Sequence, residues 1–219
     1  MLGAGIVIVS AQLSVAALST PPYLPAPPTG IAAGSPVLVA AEPFETLTEM
    51  AFSVSGLRLD SAIAAADAAA KRARGSLSQG SAVQLDARLA EIHQASKSDD
   101  RVALAISSIE AYRILVSAAR PGKVPTAVNL MDYAGLRYDA DFQAMPIRWP
   151  DMKGAATYAR GQWGAISDQI DDPALRERVE AAVTDMEAAA NQQNTFKARR
   201  SVTAELELVD ELEGYFTKR

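Results

Sequence analysis

VALAISSIEAYRILVSAA, residues 102–119, decides how the rest of the chain reads: eighteen consecutive positions hold only two charged side chains, Glu110 and Arg113. A helix so nearly apolar on every side must lie at the centre of a packed structure. Its length approaches that of a membrane span. Two charges near its midpoint are costly in hydrocarbon, however, so the centre of a helical bundle is the expected setting.

Working outward, the run stops at Arg120-Pro121-Gly122, and SKSDD just before it supplies an N-cap. Towards the N-terminus, helices are expected near 81–96, with Leu85, Leu89 and Ile92 on one stripe, and near 56–74, with Leu59, Ile63, Ala66 and Ala70 aligned. Towards the C-terminus a helix near 124–142 follows. Pro146 and Pro150 interrupt the chain before another at 151–170, whose Met152, Ala156, Ala159, Trp163, Ile166 and Ile170 recur at helical spacing. Asp172-Pro173 is a cap followed by an N1 proline and opens a helix carrying Leu175, Val179, Ala182, Met186 and Ala189. The last helix, 195–217, aligns Val202, Leu206, Val209, Glu213 and Phe216. No alternating run is long enough to seed a sheet. The fold class is therefore all-α. Short connections make successive helices antiparallel, giving an up-and-down, four-helix-bundle-like domain of six to seven helices over residues 42–219.

Residues 1–41 contain no charged side chain, and MLGAGIVIVSAQLSVAALS has the apolar character of a signal peptide, although it lacks the usual initial Lys or Arg. Small residues offer cleavage after Ala16 or after Ala41, the second being favoured. PPYLPAPPTG at 21–30 reads as an extended linker. Export to the periplasm or beyond is the expectation, with membrane attachment only through an uncleaved leader.

The chain has no cysteine and one histidine, His93, which excludes disulfides, thiolate metal sites, iron–sulfur clusters and multi-histidine centres. Net charge is −5, and residues 1–57 carry Glu42, Glu45 and Glu49 with no Lys or Arg. Nothing supplies the basic face that nucleic-acid binding needs. Asp139-Ala140-Asp141 resembles the opening of a calcium loop without the Gly and Glu that complete one. There is no phosphate loop and no nucleophile elbow, so an enzyme is the least supported class.

Three carboxylates fall where apolar side chains are expected: Glu110, Asp132 and Glu213. Each needs a cation, a donor network or a metal, because an unpaired buried charge is costly. Arg113 lies three residues after Glu110, within reach on a helix. One reading is an internal Glu110–Arg113 pair, with Asp132 and Glu213 bonded to Tyr112, Tyr133 or Tyr215. A second is a metal ion held through oxygen ligands by Glu110, Asp132 and Glu213 on facing helices, with tyrosine as an added ligand. A third makes Arg113 the counter-ion of a small anionic ligand held beneath Trp163 by Tyr112 and Tyr133, with Glu110 at the same site. The acidic run Glu205, Glu207, Asp210 and Glu211 reads as a solvated face. These features together describe an exported helical bundle that binds a metal ion or small ligand. Its rivals are a structural module whose acidic faces dock a protein partner, and a carboxylate-dependent oxidase or hydrolase.

Overall fold

The structure, a computed structural model, describes residues 35–219. The leader and the proline-rich stretch, up to residue 34, lie outside the described residues. Among those described there are helices and turns only: α1 (Pro36–Val39), α2 (Glu42–Met50), α3 (Leu57–Ala73), α4 (Gln79–Lys97), α5 (Arg101–Ala118), α6 (Thr126–Phe142), α7 (Trp149–Ile166), α8 (Pro173–Gln192) and α9 (Thr195–Lys218). The helical bundle is as expected. The number of helices is larger, because the chain is already helical at residues 36–50, where no helix is expected.

Local chemistry accounts for the boundaries. Side chains of Ser78, Asp100, Asp172 and Asn194 accept hydrogen bonds from backbone N–H groups in the first turns of α4, α5, α8 and α9. Gln193 ends α8 in the left-handed conformation at φ 51°, which turns the chain directly into the cap of α9. Ridges of alanine on α3 and α7 permit close helix approach.

The helices form two squares sharing a seam. The helices α6, α7, α8 and α9 each pack on the next, and α9 closes back onto α6. On the other side α2, α3, α4 and α5 pack in the same cyclic manner, and α5 lies against α6. The central apolar run therefore sits where the two squares meet. Leu104, Ala105, Ile109, Ala111 and Leu115 on α5 are all 0% exposed. No helix among the described residues is long and apolar enough to cross a membrane.

The packing extends past the expected domain edge at residue 42. Val37, Ala40 and Ala41 are buried in the main core with Phe44 and Leu47 of α2. Helix α1 thus shares the core of α2, upstream of residue 42.

Candidate functional site

Helix α6 has two polar stripes, and they organise everything ionisable near the centre. Tyr133, Arg137 and Asp141 recur at intervals of four, while Asp132, Gly135 and Asp139 recur at three and four. The stripes are rotated by about 100° because consecutive helical residues are. Each therefore meets a different neighbour.

The first stripe meets Glu110 of α5. The Glu110 carboxylate accepts from Tyr133 Oη at 2.7 Å, from Arg137 Nη1 at 2.7 Å and from Arg113 Nε at 3.0 Å. Arg137 Nε also donates to Asp141 at 2.9 Å, and Arg148 reaches Asp141 at 3.3 Å and Asp151 at 3.0 Å. Arg113 lies over the Tyr133 ring. Burial alone would raise the Glu110 pKa, but the bonds from Tyr133 and Arg113 and the charges of Arg113 and Arg137 hold it below the usual carboxylate range. Asp141 is fully buried, and there desolvation wins over its arginines and raises its pKa. With three arginines and three carboxylates, this network is charge-balanced. Asp141 Oδ1 has no hydrogen-bond partner and only the 3.3 Å contact with Arg148.

The second stripe meets a different population. From α2 come Glu45 and Glu49, from α5 Tyr112, and from α9 Glu205, Asp210 and Glu213. The strongest charges acting on Glu45, Asp132, Glu205 and Glu213 are all negative. Burial and then Asp132 push Glu45 up to about 9. Burial, only partly offset by a hydrogen bond with Tyr112, and then Glu213 push Asp132 up to about 8. Burial and Asp210 bring Glu213 to about 7. Burial followed by Asp132 raises Tyr112 well above its ordinary range.

Access to this acidic seam is graded. Glu42, Glu49 and Asp210 are exposed, Glu45, Asp132 and Glu213 are half-buried, and Glu205 is wholly buried. Neither Oε1 nor Oε2 of Glu205 has a hydrogen-bond partner. Its carboxyl rests against Gly135, where an added Cβ would overlap Glu205 Oε2 and crowd Leu206. Gly135 and Asp132 are one helical turn apart on the same stripe, which puts the orphaned carboxyl beside the seam.

These placements correct the expected site. Glu110 does not join Asp132 and Glu213: Glu110 and Tyr112 are two residues apart on α5, about 200° around the helix, so they serve opposite stripes of α6. Trp163 is buried, and its Nε1 donates to Glu180 of α8 at 2.7 Å, beside an Arg160–Glu187 pair. Tyr133 binds Glu110, whereas Tyr112 belongs with Asp132. Tyr215 lies elsewhere, accepting from the backbone N–H of Asp171 at 2.9 Å. Glu205, read as solvated, is in the core. His93 pairs with Asp67 at 3.0 Å on the outer surface of α3 and α4.

Sequence reasoning missed Arg137, Asp141, Glu45 and Glu205. The first two were legible as the i+4 and i+8 partners of Tyr133. Glu45 could have been found from Phe44, Leu47 and Ala51, which mark a buried face on a helix that starts at Glu42-Pro43.

No three His, Asp or Glu side chains among the described residues stand grouped as ligands of one metal ion. A cleft of about 510 Å³ between α4, α5 and the α6–α7 connection is lined by Arg88, Glu91, Ser107, Met145 and Arg148, and includes neither Glu110 nor Asp132. No family model, no curated protein and no solved structure matches the chain.

Proposed function

We propose that this chain is a helical-bundle binding protein whose occupant is a hard divalent cation, taken up at the acidic seam by Glu45, Asp132 and Glu213 with Tyr112 beside them. The observation that carries the reading is Glu205: a fully buried carboxyl with both oxygens unbonded, next to half-buried carboxyls whose strongest neighbours are all negative. Carboxylate and phenol oxygens without His or Cys favour ions such as Ca²⁺, Mg²⁺ or Mn²⁺. Glu110, Arg113 and Tyr133 take no part, since Glu110 already accepts from three donors. The apolar, uncharged start of the chain supports export, and the buried position of residues 37, 40 and 41 favours the cleavage site after Ala16 over that after Ala41.

The spacing of the carboxylates supports a rival reading, a structural module in which they simply remain protonated. On the cation reading, the side chains close around the ion as they ionise. Equilibrium dialysis of the full chain against Mn²⁺ at pH 8.5 separates the two. About one ion per chain is expected, lost in Asp132→Asn and kept in Glu110→Gln. Absence of binding, or equal loss in both variants, would establish the module instead.

A further inference from the structure

The outward face of α9 is divided by charge. Lys197, Arg199 and Arg200 are exposed in its N-terminal half, and Glu207, Asp210 and Glu211 in its C-terminal half. That order runs against the helix macrodipole, which favours acids at the start of a helix and bases at its end, so helix stability does not account for it. Pairing within the chain accounts for only part of it. Among the described residues α9 forms ion pairs through Arg199, with Asp139 at 4.0 Å, and through Glu211, with Arg178 at 2.6 Å, while Lys197, Arg200, Glu207 and Asp210 enter none. Phe196, at the basic end, is 74% exposed. A shallow depression of about 410 Å³ on this face is lined by Phe196, Arg199, Arg200, Thr203, Ala204 and Glu207.

Phe196, Arg200, Thr203, Glu207, Asp210 and Gly214 follow one another at alternating fours and threes. They lie within about 80° of the helix circumference and span about 27 Å along it. Alternating fours and threes make the contact line of two paired helices. A two-fold axis level with residue 205 sets each position against a complement on an antiparallel second copy. Arg200 meets Asp210 of the partner subunit, and Thr203 meets Glu207 of the partner subunit. Phe196 falls over Gly214 of the partner subunit, a position where an added Cβ would touch nothing within 4 Å. Two-fold symmetry makes every contact twice. A parallel copy would instead set Arg200 on Arg200 and Asp210 on Asp210.

We propose that the outward face of α9 docks a second copy of this chain, antiparallel, about a two-fold axis level with residue 205. The inference does not depend on the cation proposed above. Two Arg200–Asp210 contacts fix the register and orientation, and Phe196 seated over the glycine contributes apolar burial. A contact line about 27 Å long on a helix about 10 Å wide covers less than the roughly 800 Å² per partner of a standard interface. The dimer is therefore weak, with a Kd on the order of 0.1 mM. Because its charge pairs lie at an exposed surface, salt loosens it.

Sedimentation equilibrium of the full chain, in buffer holding a chelator so that cation binding plays no part, tests the pairing. The parent should be mostly dimeric at about 1 mM chain in low salt, and its Kd should rise about tenfold in about 1 M NaCl. Arg200→Glu and Asp210→Arg should each be monomeric, the first setting acid against acid and the second base against base. Mixed in equal amounts, the two variants should form a heterodimer, because each reversed charge then meets its opposite. Circular dichroism checks that both fold. Should Asp210→Arg fold poorly, Phe196→Ser, at a side chain that is already 74% exposed, should raise the Kd of the dimer at least tenfold. A parent that stays monomeric throughout overturns the proposal, as does a dimer that neither Arg200→Glu nor Phe196→Ser weakens. Two folded charge-reversal variants that remain monomeric when mixed overturn the antiparallel pairing.

Discussion

Glu205 of α9 lies against Gly135 of α6, in the space a side chain at 135 would fill, with neither carboxyl oxygen hydrogen-bonded. The missing Cβ and the buried acid are one structural feature. Without the glycine, the carboxyl would have to move out of the α6–α9 interface or force the helices apart. Gly135→Ala is therefore expected to destabilise by about 1–3 kcal/mol through overpacking, despite the better helix propensity of alanine. Adding Glu205→Ala should cancel much of that cost. Urea unfolding of both single variants and the double variant would show the non-additivity.

Glu205→Gln should cost least at low pH, where the buried carboxyl is protonated and the amide has the same shape. Burial raises its pKa well above the ordinary value. Removing the ionisable group should thus give a chain that is more stable than the parent only under alkaline conditions. Denaturation midpoints at pH 6 and pH 9 provide the check.

Arg137 joins Glu110 to Asp141, at 2.7 and 2.9 Å, and Asp141 is wholly buried. Replacing Arg137 with Met leaves that carboxylate with only the longer contact to Arg148, so a loss of about 3–5 kcal/mol is expected. Arg113 is more exposed and shares Glu110 with two other donors. Arg113→Met should cost about 1 kcal/mol or less. Equilibrium unfolding at pH 7 ranks the two.

Glu110 and the carboxyls of the acidic seam carry opposite pH dependence. Glu110, depressed by its partners, contributes stability that is present above its unfolded pKa and is lost as pH falls through the folded value. Glu45, Asp132 and Glu213, raised to about 9, 8 and 7, do the reverse. They bind protons more tightly in the folded chain, so their stabilisation is complete below about pH 4 and is lost as pH rises towards 9. Each such group lowers stability by about 1.4 kcal/mol per pH unit inside its window, or roughly 3–6 °C in Tm for a chain of this size. Melting in metal-free buffer from pH 5 to pH 9 should show a steady decline, shallower in Asp132→Asn.

The bundle was legible because its signals were local. Asp100, Asp172 and the apolar run at 102–119 mark helix ends and the centre with little help from tertiary context. The site was less legible for a geometric reason. On α9 the stripe Val202, Leu206, Val209, Glu213, Phe216 and the stripe Val202, Glu205, Val209, Leu212, Phe216 share three positions, and both alternate fours and threes. Hydrophobicity prefers Leu206 over Glu205, yet Glu205 is buried and Leu206 half-buried. The choice is made by Gly135, on a helix some seventy positions earlier, and no periodicity within α9 contains it. Glu110 and Asp132 were both recognised as misplaced acids. That they serve opposite stripes of α6 depends on the rotation between α5 and α6, which their separate sequences do not carry.

Ca²⁺-dependent thermal melting at pH 8.5, parent against Asp132→Asn, tests the central claim most directly. If the acidic seam takes a cation, Ca²⁺ at about a hundred times its Kd should stabilise the parent by about 2.7 kcal/mol, a rise in Tm of roughly 5–11 °C, and should leave the variant unmoved. A parent whose Tm does not respond to Ca²⁺, Mg²⁺ or Mn²⁺, or a variant that responds as strongly as the parent, would contradict it.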